Sequence, residues 1–188
     1  RRVLFRSNHG IYNKGVRTES ELKSVDEFYL PTEPHEFAWL ALKDPQESEI
    51  SVLKDKIGIP DLIAEDVWHA NQRPKMEEYG NSHLFLALRQ YHWQDKSLQE
   101  TEVMLLVGPN YVVSVRHGNG ADFARVRSRA QEEPELLKQG TGFVLYAILD
   151  IIVDRYFPII LEFEKRVDAI ENKMFEQAEF GLAERKEL

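Results

Sequence analysis

The chain has 188 residues, 43% of them apolar, which suffices for one sizeable core plus a helical extension. Its formal charge of −8 argues against nucleic acid, whose phosphates need a basic surface, and favours cationic partners or plain solubility. With no cysteine, disulfides and thiolate metal sites are excluded, and a reducing compartment fits.

The longest uncharged stretch, Val103–Val115, is shorter than the roughly 20 apolar residues of a membrane-spanning helix, and no secretory signal is readable. In chain order, residues 1–16 set Val3, Leu4, Phe5, Ile11, Tyr12 and Val16 beside Gly10 and Gly15, the pattern of a weak strand pair or a loose arm. Thr18 and Glu21 form a capping-box signature for a short helix through Phe28, which Leu30-Pro31 ends. Phe37–Leu42 has the length of a strand. Asp44 then reads as an N-cap with Pro45 in the first helical position, Ile50, Leu53 and Ile57 as an apolar stripe, and Gly58 as terminator. A second helix opens at Pro60, with Leu62, Ile63 and Val67 on a face for burial, and Asn71 and Arg73-Pro74 stop it.

Lys75–Tyr79, Leu84–Trp93, Glu100–Val107 and Tyr111–His117 are four strand candidates, separated by turn signals at Gly80-Asn81, Asp95-Lys96 and Gly108-Pro109-Asn110. Links that short force antiparallel pairing. Ala121–Glu132 predicts an amphipathic helix with Arg125, Arg127 and Arg129 on a basic side. From Thr141 onward Leu145, Leu149, Ile152, Tyr156, Ile160, Phe163, Val167, Ile170 and Met174 recur at steps of three and four, a long helix that Pro158 should kink. The expected fold class is α/β: a mixed, largely antiparallel sheet flanked by helices, with a long C-terminal helical arm. Residues 1–140 form the domain and 141–188 the arm.

Chemistry concentrates at two places. Glu65 and Asp66 sit near the C-terminal end of the second helix, the unfavourable end of the helix dipole for negative charge. They are either solvated acids, with Asp66 paired to His69 or a nearby arginine, or half of a site for a hard divalent cation, which takes oxygen ligands and often only one or two carboxylates. Asp150 lies among Leu149, Ile151 and Ile152, where an unpaired buried carboxylate is costly, with Asp154 one turn on. Either a cation or Arg127 or Arg129 should compensate it. The six histidines show no zinc spacing. Ser114 and His117 fall on opposite strand faces, so no nucleophile is evident and no enzyme is expected. Gly118-Asn119-Gly120 is either a turn before Asp122 or a weak phosphate-loop signal.

Taken whole, LIAED followed six residues later by QRPK resembles the cytosolic N-terminal domain of the CorA magnesium-channel family. Trp39, the valine-rich hairpin near Tyr111 and LYAILDIIVDRYF at 145–157 extend the resemblance, but the family's Gly-Met-Asn signature is absent: none of Met76, Met104 or Met174 follows a glycine. The resemblance implies a homopentameric Mg2+/Co2+ channel on the cytoplasmic face of the inner membrane, with a stalk helix and two membrane helices after Leu188. It also implies Mg2+ (or Co2+) as a regulatory ion held between subunits in the closed state, with metal near Asp66, Glu65 and Asp150. The related zinc-transporting ZntB branch shares that architecture. A soluble α/β nucleotide-binding module or enzyme using the Gly118–Gly120 loop is an alternative from another class.

Overall fold

The computed structural model of the chain describes residues 7–18, 22–94, 97–118 and 123–184, with side chains from 8 to 175. Val3, Leu4, Phe5, Glu21 of the expected capping box, the Asp95-Lys96 turn, and Asn119, Gly120 and Asp122 of the glycine loop lie outside the described residues.

The strands β1 (Ser7–Asn13), β2 (Val16–Arg17), β3 (Glu36–Lys43), β4 (Lys75–Tyr79), β5 (His83–Gln94), β6 (Ser97–Gly108) and β7 (Tyr111–His117) form one sheet, ordered β2-β1-β3-β7-β6-β5-β4. All neighbours are antiparallel except β3 with β7. The expected meander from Lys75 to His117 is therefore present, and the parallel β3–β7 pair makes the sheet mixed. Lys14 and Gly15 close the first hairpin at φ of 49° and 84°, the left-handed geometry that a two-residue turn demands. A side chain on Gly15 would collide with the Pro134 carbonyl, so only glycine fits.

Helices cover both faces. On one face, α1 (Glu47–Ile57) and α2 (Asp61–His69) bury Ile50, Leu53, Ile57, Ile63 and Val67 against Leu40, Met104, Leu106 and Val113. On the other, α3 (Ala124–Glu132), α4 (Pro134–Leu137) and α5 (Thr141–Asp154) bury Val126, Leu137, Val144, Ile148 and Ile152 against Trp39, Val103, Leu105 and Val112. Central strands covered on both sides read as continuous apolar runs, which is why β7 begins Tyr-Val-Val. The final helix, α6 (Tyr156–Glu184), leaves the sheet as an arm with Phe157, Ile160, Val167, Ile170 and Met174 exposed. Among the described residues no helix is long and apolar enough to cross a membrane.

Several local expectations are corrected. Instead of a helix through Phe28, a single 3-10 turn spans Val25–Glu27. Local bonds from the Lys23 N–H to Glu27 and from the Ser24 hydroxyl to Asp26 compete with helical ones there. Gln46, not Asp44, caps α1, with the Gln46 N–H donating to the Glu49 carboxylate at 2.7 Å. Asp44 follows the end of β3, donating its N–H to the Arg116 carbonyl, while its carboxylate accepts the Gly118 N–H at 2.9 Å. Pro60 precedes α2 rather than opening it. Leu62 is 76% exposed, since the buried stripe of this short helix runs through Ile63, Ala64 and Val67. The long helix breaks at Arg155, ahead of the proline: Pro158 has no N–H for the Asp154 carbonyl and its ring crowds that group.

Arg127 is not on a solvated basic face. It is 5% exposed and lies over the Trp39 ring at 4.3 Å, donating to the Tyr12 hydroxyl and to the Trp39 and Asn8 carbonyls, all at 3.4 Å. Burial pushes its guanidinium below the ordinary value, and Tyr12 opposes that shift. Truncation in Arg127→Ala should remove about 2–4 kcal/mol of unfolding free energy in urea titrations, because stem packing and ring stacking go together. Arg127→Met should lose much less, because it keeps the stem and carries no buried charge.

A candidate cation site on the turn after the second helix

Helix α2 ends at His69, and the next two residues both take positive φ: 57° at Ala70 and 61° at Asn71. Neither is glycine, so the turn stores strain of about 1–3 kcal/mol per residue. Its compensation comes from the sheet. Glu102 of β6, 6% exposed, accepts the Asn71 N–H at 2.5 Å and the Gln72 N–H at 2.8 Å. Arg89 of β5 donates to the Gln72 carbonyl at 2.7 and 3.1 Å and pairs with Glu100. His117 of β7 donates to the Val67 carbonyl at 2.8 Å, fixing the last turn of α2.

This frame presents Asp66. Its Oδ1 accepts the Gln72 side-chain amide at 2.9 Å and its Oδ2 meets the Lys75 Nζ at 2.7 Å. Lys75 also reaches Glu77 at 2.7 Å and lies over the Phe85 ring at 5.4 Å. Hydrogen bonds to Asp66 and then Glu77 hold the Lys75 ammonium above its ordinary pKa. Asp66 and Lys75 are 25% and 29% exposed, so the pair is reachable from solvent. The partner of Asp66 is thus neither His69 nor an arginine. His69 stands instead 3.9 Å from Glu65, which is 63% exposed on the groove between α1 and α2.

Asp150 is half-exposed rather than buried and lies on the opposite face of the sheet from α2. It lines a cavity of about 470 Å3 between α3, α4 and α5, together with Arg125, Arg129, Phe143 and Tyr146. The two arginines proposed to neutralise it do not: Arg127 turns to Trp39 and Arg129 to Glu133 at 3.7 Å. Being on opposite faces, Asp66 and Asp150 cannot share one ion. Among the described residues no three His, Asp or Glu side chains converge as a metal site. Within the described residues, then, the place beside the Asp66 carboxylate is taken by an ammonium. Lys75, Glu77, Gln72, Arg89 and Glu102 went unassigned in the sequence reading. The local signals were QRPK, which holds Gln72 and Lys75, and Glu102, an acid set directly before the apolar run from Val103.

Comparison with known proteins gives a consistent picture. The family profile described as CorA-like Mg2+ transporter protein matches residues 34–185. The chain is 32% identical over 134 residues to the putative metal ion transporter YfjQ of Bacillus subtilis, covering 71% of this chain and 41% of that protein. In fold it resembles the soluble domain of CorA from Methanocaldococcus jannaschii, with TM-score 0.60 and 18% identity over 92% of this chain and 66% of that one. It also resembles the ZntB cytoplasmic domain from Vibrio parahaemolyticus, with TM-score 0.59 and 13% identity over 89% of this chain and 63% of that one. The chain thus spans less than half the length of YfjQ.

The turn depends on Glu102. Replacing it in Glu102→Ala removes two charge-assisted bonds to strained backbone and should cost about 2–4 kcal/mol. Hydrogen exchange should then accelerate at Asn71 and Gln72 well before it does in β6.

Proposed function

Because the chain belongs to the CorA-like Mg2+ transporter family, we propose that it is the cytoplasmic domain of a homopentameric transporter for Mg2+ or Co2+. In this reading it acts as the sensor of the transported ion rather than as an enzyme. The regulatory ion lies between subunits, with Asp66 as this chain's ligand, Glu65 beside it and Asp150 marking a second position. Among the described residues no set of donors completes a site; in this reading a neighbouring subunit contributes the remaining oxygens.

The observation that carries this reading is that Asp66, in the last turns of α2, is held by Gln72 of the following turn and draws a cation to it, Lys75 at 2.7 Å. The Asp150 side chain adds to it, opening onto the cavity with no hydrogen bond or ion pair among the described residues. The apolar side chains exposed along α6 suit contact with further protein. Two carboxylates facing each other across an interface at about 4–5 Å repel by roughly 3–4 kcal/mol at an effective dielectric of 20. Asp66, fixed by its turn, cannot retreat from that repulsion. An ion bound better by the closed than by the open arrangement shifts the equilibrium by its difference in affinity, and repeated interfaces sharpen the response.

The zinc-transporting branch remains the alternative ion preference, since the fold likeness to ZntB equals that to CorA. Oxygen donors at Asp66 and Glu77 and the absence of cysteine favour the harder ion. The nucleotide-loop alternative is disfavoured at Gly118, whose N–H is given to Asp44 rather than left open to a phosphate.

The test is protection of the assembled full-length transporter from protease as Mg2+ is raised. Asp66→Asn should move the midpoint of protection to at least ten-fold higher Mg2+, and ATP should add no protection of its own. An unchanged midpoint in Asp66→Asn would remove Asp66 from the sensing role.

A further inference from the structure

Lys75 is shared between two carboxylates. It opens β4, and Glu77 lies on the same strand face two residues on, while Asp66 approaches from the end of α2. Both contacts measure 2.7 Å. The two acids and one lysine carry a net single negative charge, so the ammonium offsets half of the acidity with no ion present. β4 is the outermost strand of the sheet, and a lysine stem is long and flexible, so the ammonium can leave Asp66 without disturbing the backbone.

We propose that Lys75 is a built-in competitor for the Asp66 cation position, and that it sets both the threshold and the charge selectivity of divalent binding there. This rests on the reading of Asp66 as a metal ligand. A doubly charged ion arriving at Asp66 displaces the ammonium, which stays tethered to Glu77 and so remains paired. A singly charged ion would exchange one positive charge for another while losing the geometry of the tethered ammonium, and it gains nothing. Lys75 thereby keeps the empty carboxylate satisfied and raises the divalent concentration needed to fill it.

The experiment is Mn2+ binding to the assembled full-length transporter, followed by the electron paramagnetic resonance signal of free Mn2+, the part that depends on Asp66 being the part read. Lys75→Met should tighten binding by about ten-fold, as expected for removing a unit charge a few ångströms from a divalent ion in a water-like dielectric. Lys75→Arg, which keeps the charge, should bind no more tightly than the unmodified chain. Glu77→Gln should weaken binding, since Lys75 then rests on Asp66 alone, and should cost less in the Lys75→Met background than by itself. K+ should compete with Mn2+ in Lys75→Met more strongly than tetramethylammonium does at equal ionic strength, and should not do so in the unmodified chain. Circular dichroism melts establish that each variant is folded. If Asp66→Asn abolishes binding while Lys75→Met leaves it unchanged or weaker, the competition is overturned and the Asp66 site stands. If Asp66→Asn changes nothing in either background, the site itself is overturned, and the competition with it.

Discussion

The buried Glu102 carboxylate is the constraint from which the geometry of the candidate site follows. It sits in a sheet with helices packed on both faces, yet its charge is met by two backbone N–H groups of a turn that would otherwise be strained and unpaired. Each side stabilises the other: the turn keeps its left-handed residues because Glu102 holds them, and the buried oxygens of Glu102 are paired because the turn supplies donors. Gln72, locked by this arrangement, can then direct its side chain at Asp66 and its carbonyl at Arg89.

Arg89 extends the network to the arm. Its side chain holds the Gln72 carbonyl, and its own carbonyl accepts the Tyr156 hydroxyl at the first residue of α6. Beyond Ala87, β5 has no partner from β4, and this open edge is where α6 passes. Phe163 packs on Trp93 and Arg166 lies over the same ring at 4.5 Å, so the helix covers an edge that would otherwise invite strand pairing. The turn that presents Asp66 and the root of the long helix are therefore fastened to one residue. A displacement at either end must be absorbed by the same strand.

Much of the architecture was legible because its signals are local. The four strands from Lys75 to His117 are separated by turn residues and could only pair as a meander, and Gly58 at φ 69° ends α1 where a glycine terminator belongs. What was illegible depends on partners distant in the chain. Asp44 has the chemistry of a cap, but Gly118 on a neighbouring strand end claims it, and Gln46 takes its place. Arg127 has the sequence context of a surface arginine, and only the packing of α3 over Trp39 buries it. Asp150 sits in an apolar run whose burial the periodicity suggested, yet it opens onto a cavity instead. The acids of the site were readable by type. The groups that compensate Asp66 stand only six and nine residues on, at Gln72 and Lys75, but the acid that fixes their turn was not readable, because the fold brings Glu102 to Asn71 across 31 residues.

That distinction bears on what a sensing carboxylate must be. A bare cluster of acids gains its affinity from mutual repulsion, which the empty state has to bear, and a strained turn at a helix C-terminus is a poor place to bear it. Asp66 avoids this: an amide holds one oxygen, an ammonium neutralises the other, and a second acid keeps that ammonium from being lost. The arrangement without an ion is then a structured one in which half of the acidity is already offset. Under the proposed sensing role, filling the position is an exchange of cations, whose free energy is the difference between two favourable pairings. Small changes in the charge of the arriving ion weigh heavily in such a difference, whereas total affinity weighs little.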